Sequence, residues 1–250
     1  MTFSAGSLRQ RFEIYYKRSV IQTCKRKDNM KYDKDHKQIA MIERFINTKN
    51  KDVLEIGCGD GSISVILARD AQKYIAIDPD GEAIKKARLL TSNIDFQIGT
   101  GENLNFADSS FDIVIFILSL HHQNSQRALK EANRVLTHTG QLLILEPAAD
   151  GELQQFFHLF NDESEALTNA LNAIEQSNFR IVNHDIFNVL AEFNDHEDLC
   201  KYPLDRTIID VNDCPRILGK LQQLRGSLSD IQLIHLFDKI HIFSLVKTLS

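Results

Sequence analysis

Three glycines at alternate positions, Gly57, Gly59 and Gly61, follow a short apolar run in the stretch VLEIGCGDGSIS at 53–64. Glycine is entropically costly in a folded chain, so three together after a strand point to a main chain that something approaches closely. Without Cβ atoms a ligand can lie against the backbone, and the free N–H groups of a helix opening there suit a carboxylate or phosphate. Glu55 places a carboxylate inside the same apolar run, where burial is costly unless the acid binds something. Asp78 ends a second apolar run, YIAIDPD, 21 positions beyond Gly57, and an acid there can accept from both hydroxyls of a ribose. The chemistry indicated is recognition of a nucleoside-bearing ligand.

Two ligands suit such a turn, a dinucleotide and S-adenosylmethionine. The dinucleotide fingerprint is GxGxxG, but here the third glycine comes one residue early, at Gly61 before Ser62, and Glu55 also counts against it. Groups able to move a proton must stand at strand ends: His121 and His122 after a fourth apolar run, and Glu146, followed by Pro147, after a fifth. Histidine titrates near neutral pH, yet the pair can equally shape a loop and pack. Glu146 can bind substrate, cap a helix or pair with a lid.

The elements that must position these residues alternate in type. Short β-rich runs at 53–56, 74–77, 95–98, 113–118 and 142–145 are separated by segments with helical spacing at 61–69, 81–90 and 126–136. This alternation predicts βαβ units and a parallel sheet with helices on both faces. Ahead of it, Ile39, Ile42, Phe45 and Ile46 form the stripe of an amphipathic helix. Later runs predict a helix at 162–176 and strands at 179–187 and 241–246, with an insertion at 193–230 that holds Pro203, Pro215 and two short helices. The domain reading is an N-terminal helical lid over 1–50 and one main domain over 51–250, with the insertion as a cap or an interface.

Composition narrows the function classes. A chain of 250 residues with 43% hydrophobic content can bury a sizeable core. No apolar run approaches the roughly 18 residues that span a bilayer, and MTFSAGSLRQRF lacks the apolar core of a secretory signal, so a soluble, cytoplasmic protein is expected. A net charge of −5 argues against a broad nucleic-acid footprint. Cys24, Cys58, Cys200 and Cys214 form no CxxC pair and no array at zinc spacing, so free thiols and no metal are expected.

Further stretches make the pattern specific: GTGENLNFADSSFDIVIFILSLHH at 99–122 and RALKEANRVLTHTGQLLILEP at 127–147. With the glycine turn and Asp78, they resemble the class I S-adenosylmethionine-dependent methyltransferases, in particular the group similar to ubiquinone/menaquinone C-methyltransferases and the biotin-pathway malonyl-carrier O-methyltransferase. The resemblance covers about 53–147. It implies a doubly wound, Rossmann-like α/β fold with a seven-stranded, mostly parallel sheet, and S-adenosylmethionine as cofactor, with S-adenosylhomocysteine as product.

By position, the resemblance puts Glu55 on the methionine amino group, usually through water, and Gly57, Cys58, Gly59 and Gly61 beneath methionine and ribose. Asp78 would hold the ribose hydroxyls with Pro79 beside the adenine, Thr100, Gly101 and Glu102 would lie along the adenine edge, and Leu118 would offer its carbonyl near the methionine end. Thr100 stands where the family commonly has an acid, Asn105 where proline is usual, and His138-Thr139 where Pro-Gly is usual. A threonine hydroxyl is a weaker partner than a carboxylate.

Acceptor recognition falls to parts that the resemblance leaves uncovered. Tyr15, Tyr16, Arg18 and Tyr32 could close over the site, and Phe156, Phe157 and Phe160 could line an apolar wall or simply pack. The expected reaction is in-line transfer of a methyl group to O, N or C of a small-molecule acceptor. Two rivals are a SAM-binding scaffold without turnover and a nicotinamide-dependent oxidoreductase.

Overall fold

The computed structural model describes residues 30–195, 197–200, 214–225 and 233–248. Eight strands form one sheet: β1 (Met30–Tyr32), β2 (Asp52–Ile56), β3 (Lys73–Asp78), β4 (Asp95–Ile98), β5 (Phe111–Ile117), β6 (Leu136–Pro147), β7 (Phe179–Phe193) and β8 (Ile234–Lys247). Their spatial order is β1-β7-β8-β6-β5-β2-β3-β4. Strands β4, β3, β2, β5 and β6 are mutually parallel, whereas β8 runs antiparallel to both of its neighbours, β6 and β7. The helices are α1 (Lys37–Phe45), α2 (Ser64–Leu67), α3 (Gly81–Ala87), α4 (Ser125–Val135), α5 (Glu152–Phe157), α6 (Ser164–Glu175) and α7 (Cys214–Arg225).

Strand β5 shows why the sheet carries a core on each face. Successive side chains of a strand point to opposite faces, so Ile113, Ile115 and Ile117 join one cluster while Val114 and Phe116 join the other. The first cluster is covered by α1, α2 and α3 through Ile42, Leu67 and Ile84. The second is covered by α4 and α6 through Leu129, Ala132 and Ile174. A strand apolar on both faces is the mark of a sheet with helices on both sides, and the predicted doubly wound α/β class holds. Among the described residues, no helix is long and apolar enough to cross a membrane.

Several expectations need correction. The sheet has eight strands, because β1 adds an antiparallel edge beside the end of β7, with Met30 opposite Phe193. Three residues are too short to announce a strand in a sequence. The expected N-terminal helical lid is described only from residue 30, and there it is an edge strand plus a helix, α1, whose Ile42 is fully buried in the first core. Strand β7 continues to Phe193, beyond the predicted end, and β8 begins at Ile234, ahead of the predicted start.

Cys200 and Cys214 are not free thiols: they form a disulfide, with Cα atoms 5.3 Å apart. Their pairing follows from α7 packing beside residues 199–200 in a third apolar cluster with Leu153 and Phe193, a contact that spacing in the sequence does not reveal. Cys58 is free and buried, and Cys24 lies outside the described residues.

The edge strand is tied down by charge. Glu192 on β7 accepts hydrogen bonds from Lys34 Nζ at 2.6 Å, Lys31 Nζ at 3.4 Å and His235 Nε2 at 3.2 Å. The hydrogen bond from Lys34, more than the others, holds its carboxyl down at about 2. Between that value and the unfolded one of about 4.3, the unfolded chain binds more protons, so this contribution is present above the unfolded pKa and fades as pH falls. Urea unfolding of wild type and Glu192→Gln should differ above pH of about 4.5 and converge toward pH of about 2. A gap independent of pH would show that the charge contributes nothing.

Candidate functional site

The glycine turn joins β2 to α2 at the carboxyl end of the parallel strands. All three glycines have positive φ: +81° at Gly57, +55° at Gly59 and +79° at Gly61. They serve different ends. A Cβ at Gly57 would lie 2.3 Å from Ser119 Cβ, and one at Gly61 would lie 2.8 Å from the Phe96 ring, so these two let the turn pack on its own protein. A Cβ at Gly59 would meet nothing within 4 Å, so this position faces open space at the place where a ligand can lie on the main chain.

Asp78, at the end of β3, fastens the turn. Its Oδ2 accepts from Gly59 N at 2.8 Å and its Oδ1 from Asp80 N at 2.9 Å, which leaves each oxygen a lone pair for a further donor. Glu55 is buried and accepts from Tyr74 Oη at 2.9 Å. Burial pushes its carboxyl up, and burial likewise pushes the neighbouring Cys58 thiol up. Pro79 and Thr100 are exposed beside the ends of β3 and β4.

The loop after β4 is held in place by a residue absent from the sequence reading. Gln123 Oε1 accepts from Gly101 N at 2.9 Å, while Gln123 Nε2 donates to Ser119 O at 3.1 Å. Glu102 Oε1 accepts from Asn124 N at 2.8 Å and ties this loop to the start of α4. Ser119 Oγ donates to Ile56 O at 2.6 Å and stitches the end of β5 to the end of β2. Leu118 has φ of +51°, a strained setting for a branched residue of the kind that gathers at functional sites. Its N–H is spent on Leu145 O at 2.9 Å. A lone serine or glutamine in a loop carries no signal of such a role.

Beyond Leu118 the chain makes one turn of 3₁₀ helix, Leu120–His122. There His121 Nδ1 lies 2.5 Å from Glu146 Oε2, while Glu146 Oε1 accepts from Leu120 N at 2.8 Å. Both partners are buried. Burial opposes a charge on His121, but the hydrogen bond and charge of Glu146 outweigh it and raise its pKa. Burial, and then the charge of His121, lower that of His122. Glu163, at the N-cap of α6, comes within 3.8 Å of both His121 Nε2 and His122 Nδ1. The three residues expected at the strand ends are thus brought together, and Glu163 joins them from another element.

A second buried acid stands nearby. Asp238 on β8 accepts from Tyr32 Oη at 2.7 Å and from Gln154 Nε2 at 3.4 Å, and Tyr32 Oη in turn accepts from Gln38 Nε2 at 3.0 Å. Burial pushes the Asp238 carboxyl up. Of the expected acceptor residues, Tyr15, Tyr16 and Arg18 lie outside the described residues. Phe156 is fully buried against Phe160 and Phe193, and Phe157 packs partly buried on the same cluster. Phe156 is therefore a packing residue and not an exposed wall, because its spacing on α5 turns it into the third core.

A mostly parallel α/β sheet with a glycine turn at its carboxyl end and an acid after the next strand is an arrangement in which nucleoside cofactors bind. Residues 54–144 match the family model described as a methyltransferase domain. An uncharacterised methyltransferase, YcgJ, of Bacillus subtilis is 32% identical over 117 residues, 44% of this chain and 46% of that protein. A demethylmenaquinone methyltransferase of Thermotoga maritima is 28% identical over 109 residues, 42% and 48% of the two chains. The solved structure of the B. subtilis YcgJ protein superposes with a TM-score of 0.63 at 20% identity, covering 86% of this chain and all of that one. The chain spans about half the length of these curated relatives.

Residues 54–144 are thus similar to methyltransferase domains, and this similarity supports S-adenosylmethionine as the group that the glycine turn would hold. The cradle fits that group, since the open face at Gly59 is the volume that a Cβ would fill. Alanine at Gly59 should leave the protein folded, at a cost of about 1–3 kcal/mol for a left-handed non-glycine residue, and weaken S-adenosylmethionine binding at least about tenfold, or about 1.4 kcal/mol. Calorimetric titration and a thermal melt together check this. Retained affinity would show that nothing lies against Gly59. Asp78→Ala should weaken binding by about 1.5–3 kcal/mol, the range for a hydrogen bond to a charged group, and an unchanged dissociation constant would remove it from the site.

Proposed function

We propose that the protein transfers the methyl group of S-adenosylmethionine to O, N or C of a small-molecule acceptor by in-line displacement. The bound cofactor supplies an electrophilic methyl on a sulfonium, so the protein has chiefly to align a nucleophile and prepare its proton. Gly59 and Asp78 hold the nucleoside end, with Glu55 beneath the methionine end. The strained Leu118 turns the chain from the end of β5 into the His121–His122 turn. The acceptor side is polar, with His122, Glu163 and Asp238 about it, which favours an oxygen or nitrogen nucleophile.

The observation that carries this reading is the buried pair His121–Glu146. Glu146, anchored by Leu120 N–H, accepts from Nδ1 and so places the imidazole lone pair on Nε2, facing His122 and Glu163. A lone pair fixed in that direction activates an O–H or N–H presented to it. Groups with this task contribute about 10²–10⁴-fold in rate. His121→Asn should therefore lower turnover by at least about 10²-fold while leaving the affinity for S-adenosylmethionine within about threefold.

The first experiment is titration with S-adenosylmethionine and S-adenosylhomocysteine, with NAD as control, followed by a screen of hydroxyl- and amine-bearing acceptors for label transfer. Binding of either sulfur ligand with none for NAD, then label on a small acceptor, supports the reading. Binding with no label on any acceptor would favour a scaffold, and binding of NAD alone would overturn the reading.

A further inference from the structure

We propose that His121, His122 and Glu163 form a binding site for one divalent transition-metal ion, which holds the oxygen of a hydroxyl-bearing acceptor as its remaining ligand. Ligand atoms from these three side chains lie within 4.8 Å of one another. Both contacts to the Glu163 carboxylate, Oε2 to His121 Nε2 and Oε1 to His122 Nδ1, measure 3.8 Å. That is beyond hydrogen-bond reach. It is close to the spacing of about 3.4 Å between ligands that share a tetrahedral ion at about 2.0–2.1 Å, so movements of about 1 Å close the site.

The shell around the three residues is the second, independent sign. Histidines that ligate metals almost always give their other ring N–H to a carboxylate, which fixes the tautomer and raises the basicity of the ligating nitrogen. His121 has that arrangement: Nδ1 faces Glu146 at 2.5 Å, and Glu146 is held by Leu120 N–H. Glu163 is oriented in turn by Asn161 Nδ2, which donates to Oε1 at 2.9 Å. Two imidazoles and one carboxylate form a donor set suited to zinc and related ions, with a fourth position left for substrate.

The site also has an entrance, since the His122 side chain is 59% exposed while that of His121 is 4% exposed. An ion bound there lowers the pKa of a coordinated oxygen acid. The acceptor hydroxyl would then release its proton to solvent before it reacts. The same Nε2 lone pair, directed by Glu146, would activate a hydroxyl through the ion when metal is bound and directly when it is not. The role given to the ion rests on the methyl-transfer reading, whereas its binding does not.

The test uses the full chain, stripped with a chelator and dialysed, titrated calorimetrically with Zn²⁺ and with Mg²⁺ as a hard-cation control. Co²⁺ is followed separately by its visible absorption. One Zn²⁺ per chain at micromolar affinity or tighter is expected, with no Mg²⁺ binding. His122→Ala and Glu163→Gln should each weaken Zn²⁺ at least tenfold and alter the Co²⁺ spectrum, at unchanged melting temperature. Glu146→Gln, acting through His121, should cost about 10–100-fold. His184 and His241 form another pair, 3.0 Å apart on β7 and β8, and His241→Asn should leave the affinity unchanged.

No Zn²⁺ binding, or binding that survives His122→Ala and Glu163→Gln, would overturn the proposal. Binding abolished by His241→Asn would place the ion on the other pair and overturn it as well. Titration of the same samples with S-adenosylmethionine separates the two readings: cofactor binding without Zn²⁺ sinks only the metal site, and Zn²⁺ binding without the cofactor sinks only the methyl-transfer reading.

Discussion

The contact between the glycine turn and the end of β5 is the constraint on which the rest of the site depends. Ser119 occupies the space where a Cβ on residue 57 would lie, and its hydroxyl is bonded to the carbonyl of Ile56. Any side chain at position 57 would push these strand ends apart. Their closeness sets the glycine turn beside the strand end that leads into the His121–His122 turn. Gln123 extends the same junction to the loop after β4 by bonding both Gly101 N and Ser119 O. Three separate loops are thereby held as one rim.

The glycines divide the work between fold and ligand. Gly57 and Gly61 are required because their own protein crowds them, and only Gly59 opens outward. A glycine motif read as a binding signature is in this chain two-thirds packing device. Asp78 has a similar double character, since its carboxylate orders the turn through Gly59 N–H and still retains lone pairs for a further donor. Such sharing keeps the cradle formed ahead of the ligand, which reduces the ordering cost of binding.

Buried charge is concentrated at the carboxyl end of the sheet. Glu146, His121 and Asp238 are each removed from water, and each is compensated by a named partner: Leu120 N–H and His121 for Glu146, Tyr32 and Gln154 for Asp238. Unpaired, such groups would cost several kcal/mol each, on the order of the whole stability of a domain. Asp238 also links β8 to β1 and α1 through Tyr32 and Gln38, so the added edge strand shares a polar network with β8.

The sequence by itself determined the class of fold and the place of the glycine turn within it. Helix and strand periods are local properties, and the glycines, Glu55 and Asp78 sit in one βαβ unit whose geometry is set by near neighbours in the chain. It also located His121, His122 and Glu146 at strand ends, although not their pairing. Only the tertiary structure decided that Glu163 approaches both histidines, that Cys200 meets Cys214, that Phe156 turns into a core, and that Ser119 and Gln123 bind the rim. Those contacts join residues from different elements, and burial of apolar faces, not local spacing, chooses which elements meet.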